Sequence, residues 1–208
     1  MSGPILAIDT SSRRRALCVL AAADGGLLAA RRLEGRHLDR TLPAALGALL
    51  GESAPTAVAV VLGPGSYTGL RVGIAAALGL AHARDLPLHG IAALDAVARA
   101  APPQAALVEA VADAGRGALY AARYQRDGGG LRRTDGPRRV DPGAWRPAPG
   151  HVAVTLDALD GALPCDDRAA AALAEAAAAA ASEAPLPRAG LEPVYLGGDA
   201  SAPSGPRV

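Results

Sequence analysis

The segment Gly63-Pro64-Gly65-Ser66-Tyr67-Thr68-Gly69-Leu70-Arg71 holds the residues whose types and spacing most suggest chemistry. A glycine loop that follows an apolar run and opens a helix aims amide hydrogens and a helix dipole at one spot, which suits an anion such as phosphate. It is not a Walker loop, because the chain contains no lysine. Its Gly-x-Gly-x-x-x-Gly spacing also departs from the dinucleotide fingerprint, which asks for a carboxylate at the end of the next strand; Asp95 lies too far into the following helix for that role. The competing reading is a tight strand-to-helix turn in which glycine permits positive φ and close backbone packing. Asp9-Thr10-Ser11 ends the first apolar run, and Asp113 stands in the matching place of the second half. Either aspartate could hold a hydrated Mg²⁺ or cap a turn. Asp9, Thr10, Ser11, Gly63, Gly65 and Asp113 are therefore the candidates for a residual nucleotide cleft.

Other chemistries find less support. The absence of lysine removes Schiff-base catalysis and a phosphate-gripping ammonium, which guanidinium does not replace. His37, His82, His89 and His151 show no metal spacing, so no metal site is expected. Ser66 and Cys18 have no His–acid pair nearby, and Cys18 within Ala16–Leu20 reads as a buried, inert thiol. Arg13-Arg14-Arg15 reads as a solvated hairpin turn. A formal net charge of +1 gives no global pull toward nucleic acid, so contact with RNA would need a local patch or a partner.

The elements that must position these residues follow from pattern. Short apolar runs over Pro4–Ile8, Arg15–Ala21 and Gly26–Leu33 predict a three-stranded meander. Leucines 38, 42, 46, 49 and 50 predict a helix starting near 39–41, where Pro43 can be accommodated. A strand at Ala57–Leu62, a helix at Thr68–Ala83, a strand at Leu88–Ile91 and a helix at Ala93–Ala100 complete a βββαβαβα unit. Ala101-Pro102-Pro103 marks a boundary. Strands at Ala105–Ala112, Ala118–Gln125 and His151–Leu156 and an alanine-rich helix over 168–184 follow, with a Gly-, Pro- and Arg-rich stretch between 126 and 150 left without an element. The reading is two α/β subdomains, 1–102 and a reduced copy at 103–196, then a tail at 197–208. With no Phe and a single Trp, the core must be filled by aliphatic side chains. The helix after the glycine loop is apolar around its whole circumference and kept slim by Gly73, Ala75, Ala76, Ala77 and Gly79, which predicts cover on two sides, the second from another subunit. No signal peptide or membrane span is evident, so a cytoplasmic protein is expected.

Ile5-Leu6-Ala7-Ile8-Asp9-Thr10-Ser11, His37, the Gly63–Arg71 segment, Gly90-Ile91-Ala92-Ala93-Leu94, the Asp113–Tyr120 segment and Glu192-Pro193-Val194-Tyr195-Leu196 resemble the TsaB (YeaZ) family in order and spacing. The resemblance implies an actin/hexokinase/Hsp70-like (ASKHA) fold with two similar subdomains. It implies a non-catalytic adapter that activates a TsaD-type transferase, joined by a TsaE-type ATPase, for N6-threonylcarbamoylation of the adenine 3′ of the anticodon in tRNAs reading codons that begin with A. It further implies tRNA contact through the complex, a homodimer in isolation, no membrane, and no cofactor of its own, with ATP and Mg²⁺ only through the partner complex. The two helices of the first half would supply the interface, with Leu42, Leu46, Leu70, Arg71, Ile74, Ala75 and Leu78 as its residues. Two departures touch the second half: Asp113-Ala114-Gly115-Arg116-Gly117-Ala118 lacks one charge of each sign found in the family, and Gly197 stands where Arg is frequent. The alternative is a nucleotide-dependent enzyme of the same superfold using Asp9 and the glycine loop.

Overall fold

A computed structural model of the chain describes residues 3–34, 37–128, 130–187, 189 and 191–196. Gly197 and the expected tail lie outside them. The first half runs β1 (Ile5–Asp9), β2 (Arg15–Ala21), β3 (Leu27–Glu34), α1 (Leu38–Glu52), β4 (Ala57–Gly63), α2 (Tyr67–Ala83), β5 (Leu88–Ala92) and α3 (Ala93–Arg99). The second runs β6 (Leu107–Gly115), β7 (Ala118–Asp127), β8 (Gly130–Val140), β9 (Val152–Thr155), β10 (Leu163–Pro164) and α4 (Ala169–Ala181), with a 3₁₀ turn at Asp166–Arg168. The sheets have orders β3-β2-β1-β4-β5 and β10-β9-β6-β7-β8. In each, three antiparallel strands are joined by two parallel ones. The second sheet thus repeats the first, and the pair is the actin/hexokinase-like arrangement.

Period-2 alternation sends Ile5, Ala7, Ala59 and Val61 to one face of the first sheet and Leu6, Ile8, Val58 and Val60 to the other. The first set joins a core shared by both sheets. Helices α3 and α4 fill it, α3 packing chiefly on the second sheet and α4 on the first. The second set lies under α1 and α2. The outer face of the second sheet has loops where the first has these helices: Trp145 covers Val111, Leu119 and Ala153. Beside it the wholly buried carboxylate of Glu109 accepts from Arg138 Nη2 at 2.9 Å, the Ala148 amide at 2.7 Å and Trp145 Nε1 at 3.4 Å. The bonds from Trp145 and Ala148 tie down the loop that stands where the first sheet has two helices.

Three expectations change. The stretch left without an element contains the eleven-residue strand β8, whose Arg, Gly and Pro residues are tolerated because it is the sheet's edge. Helix α1 begins at Leu38, so Pro43 sits in its second turn and the Asp39 carbonyl receives no i+4 amide. Only Arg13 and Arg14 are solvated; Arg15 is buried at the start of β2, with Nε 3.5 Å from Asp166 Oδ1 across the two halves.

Candidate partner face and cleft

Helix α2 is the element on which the candidates converge. Ser66 caps it by accepting from the Gly69 amide at 3.3 Å. One side faces the chain following β1: a Cβ placed at Gly65 would collide with Ser11, and one at Gly69 or Gly73 with Thr10. Glycines 65, 69 and 73 therefore form a strip into which Thr10-Ser11 packs. The Ser66 amide donates to the Ser11 carbonyl at 2.7 Å, so this loop donor that could have faced an anion is spent within the chain. Gly63, at φ 124°, lies against the Val194 carbonyl, and the Val194 amide donates to the Leu62 carbonyl at 2.8 Å. The carboxy-terminal segment thus clips onto the end of β4, a contact invisible in sequence.

The aspartates act as turn caps in matching ways. Asp9 Oδ1 accepts from the Ser11 amide at 2.9 Å and its hydroxyl at 2.6 Å, while Asp113 Oδ1 accepts from the Gly115 amide at 2.7 Å. A third carboxylate, Asp157 just after β9, joins the halves: its Oδ1 accepts from the Ser12 hydroxyl at 3.3 Å and its Oδ2 from the Asp113 amide at 3.4 Å. Sequence reasoning passed over Asp157 because its partners are 44 and 145 residues away. The Arg13 guanidinium lies against Gly115, so a side chain there would strike it. Among the described residues, no group of three metal-ligating side chains converges. Cys18 is buried; desolvation, then the neighbouring Asp9 charge, push its thiol up to about 12, which leaves it protonated and unreactive.

The outer side of α2 is different. Leu42, Leu46, Leu70 and Ile74, four of the seven residues expected at an interface, are buried in the chain's own core at 8% exposure or less. Arg71 and Ala75 are exposed and Leu78 half-buried, and the exposed Gly79 continues their row with no described residue within 4 Å of a Cβ placed on it. On α1, the exposed Ala44, Gly47, Ala48 and Gly51 are equally small. Beside this row the carboxy-terminal segment leaves a groove of about 320 Å³, where Arg71, Ala75 and Leu78 face Leu191, Pro193 and Tyr195. Tyr195 stacks on Tyr67 with centroids 5.3 Å apart at 26°, and the Arg71 guanidinium sits 4.6 Å from the centre of the Tyr67 ring.

Known proteins share much of this sequence and its fold. A family model described as TsaD, tRNA N6-adenosine threonylcarbamoyltransferase, matches residues 32–184. The protein named YeaZ from Pseudomonas aeruginosa superposes with a TM-score of 0.72 over 94% of this chain and all of its own, at 27% identity. TsaB of Escherichia coli is 39% identical over 61% of this chain and 57% of its own length. TsaB of Bacillus subtilis is 32% identical over 68% of this chain. The chain belongs to the TsaB (YeaZ) family. The uncharacterized protein Mb3455c of Mycobacterium bovis aligns over 77% of both chains at 36% identity, while the alignment to the Mycobacterium leprae protein ML0378 spans 30% of that protein. No helix among the described residues is long and apolar enough to cross a membrane.

Proposed function

We propose that this chain is the non-catalytic adapter of tRNA threonylcarbamoyladenosine biosynthesis, pairing with a TsaD-type transferase and activating it, with a TsaE-type ATPase acting on the pair. The observation that carries the reading is the two-sidedness of α2. Its inner residues close the chain's own core, while a row of Arg71, Ala75 and Gly79 stays open beside the small residues of α1. Small residues let a second helix approach closely, and a chain whose relatives are named for one pathway supplies the partner class. A role apart from chemistry agrees with the loop geometry: the Ser66 amide and the Asp9 and Asp113 carboxylates are engaged in holding turns, and no lysine stands by.

In this reading the transferase carries the threonylcarbamoyl group from its adenylate, with AMP leaving, to N6 of the adenine 3′ of the anticodon in tRNAs reading codons that begin with A. The adapter holds the transferase in its active arrangement and brings no cofactor of its own. The test is a reconstituted modification assay on unmodified tRNA. Activity is expected only when transferase, ATPase and this chain are all present; full activity without the chain would refute the reading.

A further inference from the structure

The chain's charge is unevenly spread. Residues 118–150, comprising β7, β8 and the loop over the second sheet, carry seven arginines and three aspartates, in a chain whose formal net charge is +1. Asp95 from α3 and Glu109 from β6 also reach this region, which leaves seven guanidiniums against five carboxylates. The ion pairs draw on only three of the seven: Arg123 and Arg138 meet Glu109 and Asp135, and Arg133 meets Asp95. Arg126, Arg132, Arg139 and Arg146 form no salt bridge among the described residues. Arg126 and Arg146 each donate to backbone carbonyls and Arg132 to Gln125, and all of these acceptors are neutral.

Three of the four, Arg132, Arg139 and Arg146, are exposed. Arg132 and Arg139 lie on β8, opposite Gln125 and Tyr120, at an edge where no further strand pairs among the described residues. Two bulges in β8 leave five residues of β7 between their partners, which sets them roughly 17 Å apart, a spacing that a polyanion can span and a single small anion cannot. The aromatic rings of this region, Tyr120, Tyr124 and Trp145, are buried and unavailable for base stacking. The chemistry on offer is the fork of guanidinium donors matched to phosphate oxygens, without base readout.

We propose that the edge of the second sheet, through Arg132, Arg139 and Arg146, binds the phosphate backbone of the structured RNA on which the complex acts. The inference rests on the adapter reading for the identity of that RNA. It adds a direct contact made by this chain, remote from the α2 row.

The test uses the full chain in complex with its transferase partner, a labelled unmodified tRNA transcript, and salt titrations between about 50 mM and about 200 mM. For R132E/R139E we expect affinity to fall by about tenfold or more and the slope of log K against log salt to flatten by about two, one per lost phosphate contact. R132Q/R139Q, which removes charge without repulsion, should flatten the slope equally with a smaller loss of affinity. Reversal of Arg40 and Arg84, exposed on the first half, should change neither. Arginines that served only to keep the sheet edge from pairing with another chain would leave affinity and slope unchanged in R132E/R139E, and that result overturns the inference. Co-elution with the transferase is read in the same samples: pairing retained with an unchanged slope removes this inference alone, while failure to pair removes the adapter reading.

Discussion

Replacing Gly69 by Ala isolates what the glycine segment does. A Cβ at this position would overlap the Thr10 backbone carbonyl, which is held between β1 and the Ser11–Ser66 hydrogen bond and has no flexible side chain to swing aside. Overpacking spans about 1–3 kcal/mol, and a clash with a fixed backbone carbonyl belongs to its upper part, about 2–3 kcal/mol, against which alanine regains about 1 kcal/mol of helix propensity. A net loss of about 1–2 kcal/mol is expected, and at about 2–4 °C per kcal/mol for a chain of this size the melting temperature should fall by about 2–8 °C. Gly47, inside α1 with no described residue within 4 Å of an added Cβ, is the control: Gly47→Ala gains the propensity without the clash and should raise the melting temperature by about 2–4 °C. Both are read by differential scanning calorimetry. A Gly69→Ala protein melting at or above the wild type would refute the packing argument and reopen the loop as a ligand cradle.

Two further outcomes follow from the same geometry. Glu109→Ala removes the carboxylate under Arg138, Trp145 and the Ala148 amide; stranding those donors should cost about 3 kcal/mol. Because Trp145 is the only tryptophan, its emission should also shift to the red, and an unshifted spectrum with an unchanged melt would show that the loop is held otherwise. Mg·ATP should leave the isolated chain's melting temperature unchanged. A ligand at about 100 times its dissociation constant would add about 2.7 kcal/mol, so a clear upward shift would favour the nucleotide-dependent alternative.

Much of the architecture was legible because apolar runs such as Ile5–Ile8 and Ala57–Leu62 are short, β-rich and bounded by turn residues. Burial on both faces then follows from their lack of polar alternation. Strand β8 was not legible: an edge strand is selected for charge and against pairing, so its Gly-Leu-Arg-Arg-Thr-Asp-Gly-Pro sequence reads as a loop. The slimness of α2 was visible, but its cause was not. Gly69 and Gly73 are small because Thr10 lies against them, a fact of tertiary contact fifty-nine residues or more away in sequence. Asp157 and the Val194 clip escaped for the same reason, since each acts on a segment that only the fold brings near. Leu42, Leu46, Leu70 and Ile74, expected at a partner interface, instead close the chain's own core, because spacing alone does not tell a face turned to the chain's own sheet from one turned outward.

The central claim is tested most directly by size-exclusion chromatography with light scattering on the wild-type chain and on Ala75→Arg, each alone and mixed with a TsaD-type transferase. Ala75 is exposed on the outer row of α2, so the substitution should spare the fold and place a charge where a partner helix must approach. The account predicts a stable one-to-one complex for the wild type and at least about a hundredfold weaker pairing for Ala75→Arg, with unchanged circular dichroism. A wild-type chain that never pairs, or a variant that pairs as well as the wild type, would contradict it.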